Sequence, residues 1–135
     1  LHSNKMKMIK KTILIFSCII LCANLSAQYQ VTSDEKGNSY YLNPVFAGDY
    51  ADPSLLRDGE DYYIVHSSFE YYPGLLIWHS TDLINLIPVT NALHTYVGSV
   101  WAPDTIKHND KYYIYFPAAN KNYVVWDESI SGPWS

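Results

Sequence analysis

Two stretches decide the fold: Tyr50-Ala51-Asp52-Pro53-Ser54 and, fifty positions later, Val100-Trp101-Ala102-Pro103-Asp104. Each opens the same run of residue types. Leu55-Leu56-Arg57-Asp58-Gly59-Glu60-Asp61-Tyr62-Tyr63-Ile64-Val65 continues the first, and Thr105-Ile106-Lys107-His108-Asn109-Asp110-Lys111-Tyr112-Tyr113-Ile114-Tyr115 the second. Pro53 falls on Pro103, Leu56 on Ile106 and Tyr62-Tyr63-Ile64 on Tyr112-Tyr113-Ile114 at a constant offset of 50, which is an internal repeat. A period of this length suggests the blades of a β-propeller, so the expected fold class is all-β.

Working outward, short runs rich in Tyr, Ile and Val are broken by Asp58-Gly59, Pro73-Gly74 and Asn109-Asp110, and no window has a helical period. The first repeat reads as strands over 54–57, 61–67, 75–80 and about 87–90, with a turn at Asp58-Gly59 and a loop over 68–74. The second reads as strands over 105–108, 111–116 and 123–126, with a turn at Asn109-Asp110 and a loop over 117–121. Blade one then occupies about residues 43–98 and blade two about 99–135, incomplete, because the sequence stops inside or just before a fourth strand. A repeat cannot bury its apolar faces without neighbours on both sides. The chain therefore reads as a truncated fragment, and residues 28–135 alone are expected to fold poorly or aggregate.

The 135 residues carry a formal charge of −4, with 48% hydrophobic and 16% aromatic residues, 13 of them Tyr, which is a globular composition. The first segment differs. Lys5, Lys7, Lys10 and Lys11 precede an apolar run over residues 13–22, followed by Ala23-Asn24-Leu25-Ser26-Ala27, the pattern of a secretory signal peptide over residues 1–27. Translation is expected to start at Met6 or Met8. Both cysteines, Cys18 and Cys22, lie in that segment, so the mature chain has no thiol; acylation at Cys18 is disfavoured because the apolar run continues past it. Cleavage removes four of nine basic residues and no acid, taking the charge from −4 to −8. Nucleic acid is excluded as a partner, since phosphate binding relies on Lys and Arg. No membrane contact is expected after cleavage, and the product is exported to the periplasm or outside the cell. Residues 28–42 are polar turn formers and read as an exposed lead-in.

Six segments together resemble glycoside hydrolase family 43. They are Asn43-Pro44-Val45, Tyr50-Ala51-Asp52-Pro53-Ser54, Asp61-Tyr62-Tyr63-Ile64, Ser68-Phe69-Glu70-Tyr71-Tyr72-Pro73-Gly74, His79-Ser80-Thr81-Asp82-Leu83 and Trp101-Ala102-Pro103-Asp104. The Phe-Glu-Tyr-Tyr-Pro-Gly run looks most like the β-xylosidase and α-L-arabinofuranosidase branches. The resemblance covers residues 43–135 and implies the first two blades of a five-bladed β-propeller, truncated. It implies an inverting glycosidase acting on xylan or arabinoxylan oligosaccharides, in which two carboxyl groups ~6.5–9.5 Å apart activate water and protonate the leaving oxygen. Relatives usually carry Trp at the position of Leu86, a difference bearing on packing.

In a propeller the innermost strand of each blade lines the channel, and its first residues sit near the rim. Asp52 and Asp104 fall there. The family's general base maps onto Asp52, and Pro53 is expected to hold Asp52 extended; the bland alternative is a plain Asp-Pro turn. Asp104 reads as a structural rim residue bonding backbone, with a direct role the lesser alternative, because the resemblance places the orienting Asp and the acid Glu in later blades. Phe69 and Trp101 are candidates to stack on a sugar ring, or else ordinary inter-blade core. Glu70 and Glu128 read as solvated loop charges. His66, His79, His94 and His108 show no metal-ligand spacing, so no metal or cofactor is assigned; some relatives hold calcium in the channel, but no residue here places it. Two other functions stay open, a propeller that binds carbohydrate without hydrolysing it and an interaction propeller.

Overall fold

The structure, a computed structural model, describes residues 32–135, so the signal segment and its cysteines lie outside the described residues. The runs rich in Tyr, Ile and Val form antiparallel strands, because such side chains pack well on a pleated surface. Among the described residues there is no helix. A short hairpin of β1 (Thr32–Ser33) and β2 (Ser39–Tyr40) comes first. Asp34 organises its turn by accepting bonds from the Lys36 and Asn38 backbone N–H groups, the Asn38 amide and the Tyr40 hydroxyl. These donors, Asn38 first, lower its pKa to about 2.

The first sheet is a meander of β3 (Ser54–Asp58), β4 (Asp61–Val65), β5 (Gly74–Ser80) and β6 (Ile87–Leu93), in that spatial order. Asp58 pairs with Asp61, so the tight turn is Gly59-Glu60, one residue later than the composition suggested. Gly59 takes φ +65°, which suits glycine at the first position of a two-residue hairpin loop. A bulge between Ile77 and Trp78 interrupts the β5–β6 ladder, and Pro88 sits in β6 at the edge of this sheet, the position in which a strand tolerates proline.

The second sheet has three strands, β7 (Asp104–His108), β8 (Lys111–Ala118) and β9 (Lys121–Asp127). Its first turn is Asn109-Asp110, as the sequence indicates, with both residues left-handed at φ +49° and +58°. The loop expected over 117–121 is instead paired strand closed by Ala119-Asn120. Pro117 is tolerated because its carbonyl accepts from Trp101 N–H, so its N-side faces that loop and the β9 ladder loses no donor.

The core lies between the sheets. On β8, Tyr112, Ile114, Phe116 and Ala118 are buried, alternating with residues on the opposite face. Together with Val65, Leu75 and Ile77 they form one cluster, in which each buried aliphatic side chain contributes about 1.5–3 kcal/mol. On β3, Leu56 packs against this cluster while Asp58 reaches the second sheet. Lys107 Nζ bonds Asp58 at 2.7 Å and the Tyr112 hydroxyl donates to Asp58 at 2.6 Å. Val100 ties the sheets together at one end by bridging to both Phe69 and Ala118. At the C-terminus Trp134 is buried and Ser135 N–H donates to the Trp126 carbonyl, laying the tail beside β9.

Candidate functional site at the joint between the sheets

Asp52 immediately precedes β3, and its backbone is not extended as Pro53 led one to expect: φ is +52°. Asp is among the few residue types that enter the left-handed region readily, and neighbouring bonds hold it there. Ser67 N–H donates to the Ala51 carbonyl at 3.0 Å, and the Ser67 hydroxyl donates to Asp52 Oδ2 at 2.8 Å. The same hydroxyl accepts from Ala102 N–H, in the second sheet's lead-in, at 2.7 Å. Ser67 is only 1% exposed and its one hydroxyl serves both sheets, while the Asp52 carboxylate stands exposed.

The repeat places Ala102 where Asp52 stands, and Ala102 is likewise left-handed, at φ +32°. Asp104 is therefore not the second copy of Asp52. It begins β7, and its carboxylate accepts from the Ser54 hydroxyl at 3.2 Å, a side chain and not the backbone partner expected for it. Ser54 Oγ in turn accepts from Thr105 N–H at 2.9 Å. Asp52 and Asp104 thus hold different posts, one displayed beside the joint and the other fastening it.

Phe69 and Trp101 do come together. Phe69 N–H and C=O pair with the backbone of Val100, and the two rings meet edge to face with centroids 4.9 Å apart. Phe69 is half-buried, whereas Trp101 is 51% exposed, leaving ring surface free. Trp101 directly precedes Ala102, whose N–H bonds the same Ser67 hydroxyl that bonds Asp52, so the backbone that carries the exposed indole is tied to the Asp52 carboxylate through one serine.

The two loop glutamates sit apart from this cluster. Glu70 accepts from the Tyr96 hydroxyl at 2.5 Å, a bond that raises the Tyr96 pKa, and Glu128 lies 3.4 Å from Lys111 Nζ. Among the described residues no group of three or more His, Cys, Asp and Glu is placed to hold a metal ion. His66 is buried in an aromatic cluster with Phe46, Tyr50 and Trp78. It accepts from Trp78 Nε1–H at 3.2 Å, so its Nδ1 carries the proton donated to the Ser67 carbonyl. A hollow of about 310 Å³ beside it includes Ser67 in its lining but not Asp52, Phe69 or Trp101.

Sequence reasoning missed Ser67 and Ser54. The signal available was the pair Ser67-Ser68 ending a strand of large side chains, and it does not say which hydroxyl finds partners. Ser67 does, whereas the buried Ser68 hydroxyl has none.

Residues 41–135 match the model of the glycosyl hydrolases family 43. The chain belongs to that family. A β-xylosidase of Bacillus subtilis is 37% identical over 112 residues, covering 69% of this chain and 21% of the relative. A non-reducing end α-L-arabinofuranosidase of Bacteroides ovatus is 32% identical over 111 residues, covering 70% and 21% respectively. Among solved structures, a xylan β-1,4-xylosidase of Bacillus halodurans superposes with a TM-score of 0.62 at 34% identity, over 69% of this chain and 22% of that one. The chain thus spans about a fifth of the length of the curated family 43 relatives it matches.

Proposed function

We propose that this family 43 chain supplies the water-activating side of an inverting glycosidase acting on xylan or arabinoxylan oligosaccharides. The observation that carries the reading is the Asp52 carboxylate, displayed to solvent and oriented by the buried Ser67 hydroxyl, which is bonded in turn to the residue after the exposed Trp101. A general base must be ionised and fixed within reach of a water. One donor on Oδ2 orients the group and leaves Oδ1 free to take the proton. Trp101 and Phe69 then hold the apolar face of the pentose, as aromatic rings do with sugars.

The two sheets act as the first two blades of a five-bladed propeller, exported by the segment over residues 1–27. The orienting Asp and the acid Glu come from later blades, and by itself the chain turns over no substrate. The relatives' names, xylosidase and arabinofuranosidase, support pentosides as the substrate class. In a complete enzyme carrying these residues, Asp52→Asn should abolish hydrolysis of aryl xylosides and arabinosides and leave sugar binding nearly unchanged. The amide keeps the Ser67 bond but cannot accept a proton. Retained turnover removes Asp52 from the reaction, and turnover by the isolated chain would reassign the acid to Glu70, Asp104 or Glu128.

A further inference from the structure

Phe69 stands in a backbone conformation that its residue type disfavours. It takes φ +47°, in a turn closed by the Tyr71 N–H donating to the Ser68 carbonyl at 2.8 Å. Left-handed backbone at the first central position of such a turn suits glycine, and for a bulky residue it is an outlier. Strain of this kind persists only where the surroundings over-determine it, and it gathers at functional sites. Phe69 is also one of the two rings proposed to hold the pentose, so whatever holds Phe69 bears on binding.

One segment does the holding, the connector over residues 94–103 that runs from β6 to β7. It grips the turn at two consecutive residues. Val100 exchanges both backbone bonds with Phe69, at 2.9 Å each, and four residues earlier the Tyr96 hydroxyl donates to Glu70 Oε2 at 2.5 Å. A lone bridge leaves a turn free to pivot about it, and the second grip removes that freedom. The connector is itself seated on the second sheet, since Val100 also bridges Ala118 and Trp101 N–H donates to the Pro117 carbonyl at 3.1 Å. The Phe69 and Trp101 rings, which meet at 82°, are thus both positioned from β8, Trp101 directly and Phe69 through the connector. Neither Tyr96 nor Glu70 fills the core, for Tyr96 is 60% exposed and Glu70 is exposed as well. Their bond raises the Tyr96 pKa, so the hydroxyl keeps its proton and goes on donating at neutral pH.

We propose that, given Phe69 and Trp101 as the sugar-stacking pair on which this rests, Tyr96 and Glu70 are positioning residues whose bond keeps the Phe69 ring against Trp101 in the attitude that receives a pentose. Neither touches the sugar. Losing the bond lets the turn relax toward an ordinary backbone, which moves the ring before the sugar arrives. Only the fraction of molecules with the ring in place then binds, so affinity falls, while the chemical step is unchanged once the sugar is seated.

The test is a double-mutant cycle in a complete enzyme carrying these residues, with Tyr96→Phe, Phe69→Ala and the two combined, read as KM and kcat on aryl xylosides and arabinosides. Tyr96→Phe deletes one exposed hydroxyl and should raise KM about 3–10-fold with kcat and Tm unchanged. Phe69→Ala raises KM by itself, and in that background Tyr96→Phe should do nothing further, since no ring is left to position. Glu70→Gln keeps an oxygen to accept from the Tyr96 hydroxyl and should stay within about 2-fold of wild type, whereas Glu70→Ala should match Tyr96→Phe. A wild-type KM in Tyr96→Phe, or an effect that adds in full to that of Phe69→Ala, overturns the positioning role and leaves the sugar-stacking pair standing. So does a Glu70→Gln variant as impaired as Glu70→Ala, since charge and not the bond would then be the source. A KM that Phe69→Ala leaves unchanged takes the sugar away from Phe69, and both readings fall together.

Discussion

Replacing Ser67 by Ala tests how the site is held. Among the described residues the hydroxyl is the only side-chain link among Asp52, the strand end of the first sheet and Ala102 of the second, with bonds of 2.8 and 2.7 Å. A bond to a charged group contributes about 1.5–3 kcal/mol and one between neutral groups about 0.5–1.5. Because Asp52 is exposed, solvent screening keeps its bond at the low end, and the loss should total about 2–3 kcal/mol. For a domain near 100 residues each kcal/mol moves Tm by about 4–8 °C, so a fall of about 10–20 °C is expected. The control is the next residue. Ser68 is as deeply buried but its hydroxyl has no partner, so Ser68→Ala removes a desolvated polar group and should be neutral or stabilising by up to about 1 kcal/mol. Urea midpoints and thermal melts by near-UV circular dichroism, at matched concentration, read both variants. Equal losses in the two would refute the assignment and reduce Ser67 to a packed small residue.

The Lys107 ammonium and then the Tyr112 hydroxyl hold the Asp58 carboxyl below its ordinary pKa. A lowered carboxylate stabilises the fold above its unfolded pKa of about 3.9 and loses that contribution as pH falls through the lower folded value. Asp58→Asn should therefore flatten the acid limb of urea midpoints measured between about pH 2 and 6, and an unchanged limb would count against the bond. Ala119 opens the β8–β9 turn at φ +47°, a conformation that costs an alanine more than a glycine. Ala119→Gly should gain about 0.5–1 kcal/mol in chemical denaturation, whereas Gly98→Ala, at φ +102° with its new methyl 3.3 Å from the Ala119 methyl, should lose stability. Trp78→Phe removes the donor to buried His66 Nε2 and should cost about 1–3 kcal/mol; a melt equal to wild type would mean that water replaces the indole.

The offset of 50 between Pro53 and Pro103, the run of Tyr and Ile in Lys111–Phe116 and the turn formers at Asn109-Asp110 were enough to read strands, hairpins and an all-β repeat, because these are local properties of the backbone and of residue type. The family likeness rested on the same legible runs and singled out Asp52, while Phe69 and Trp101 stood out as aromatic residues near the rim. Extent of pairing was less legible. Pro117 looked like a strand breaker, and only the loop that it faces, across from Trp101, shows why it is not one.

Everything that depends on which groups meet across the joint came from the tertiary structure. The left-handed backbone of Asp52 opposes the local bias before proline and persists because Ser67, fifteen residues away, and Ala102 of the next sheet fasten it. The sequence put Asp52 and Asp104 near the rim and gave Asp104 a backbone partner, yet Asp104 is bound to the Ser54 hydroxyl while Ala102 takes Asp52's place in the second unit. A linear pattern reports which residue types recur at which interval. It carries no information on whether a hydroxyl such as Ser67 or Ser68 finds a partner, since that is set by the distance between sheets that the chain brings together only when it folds.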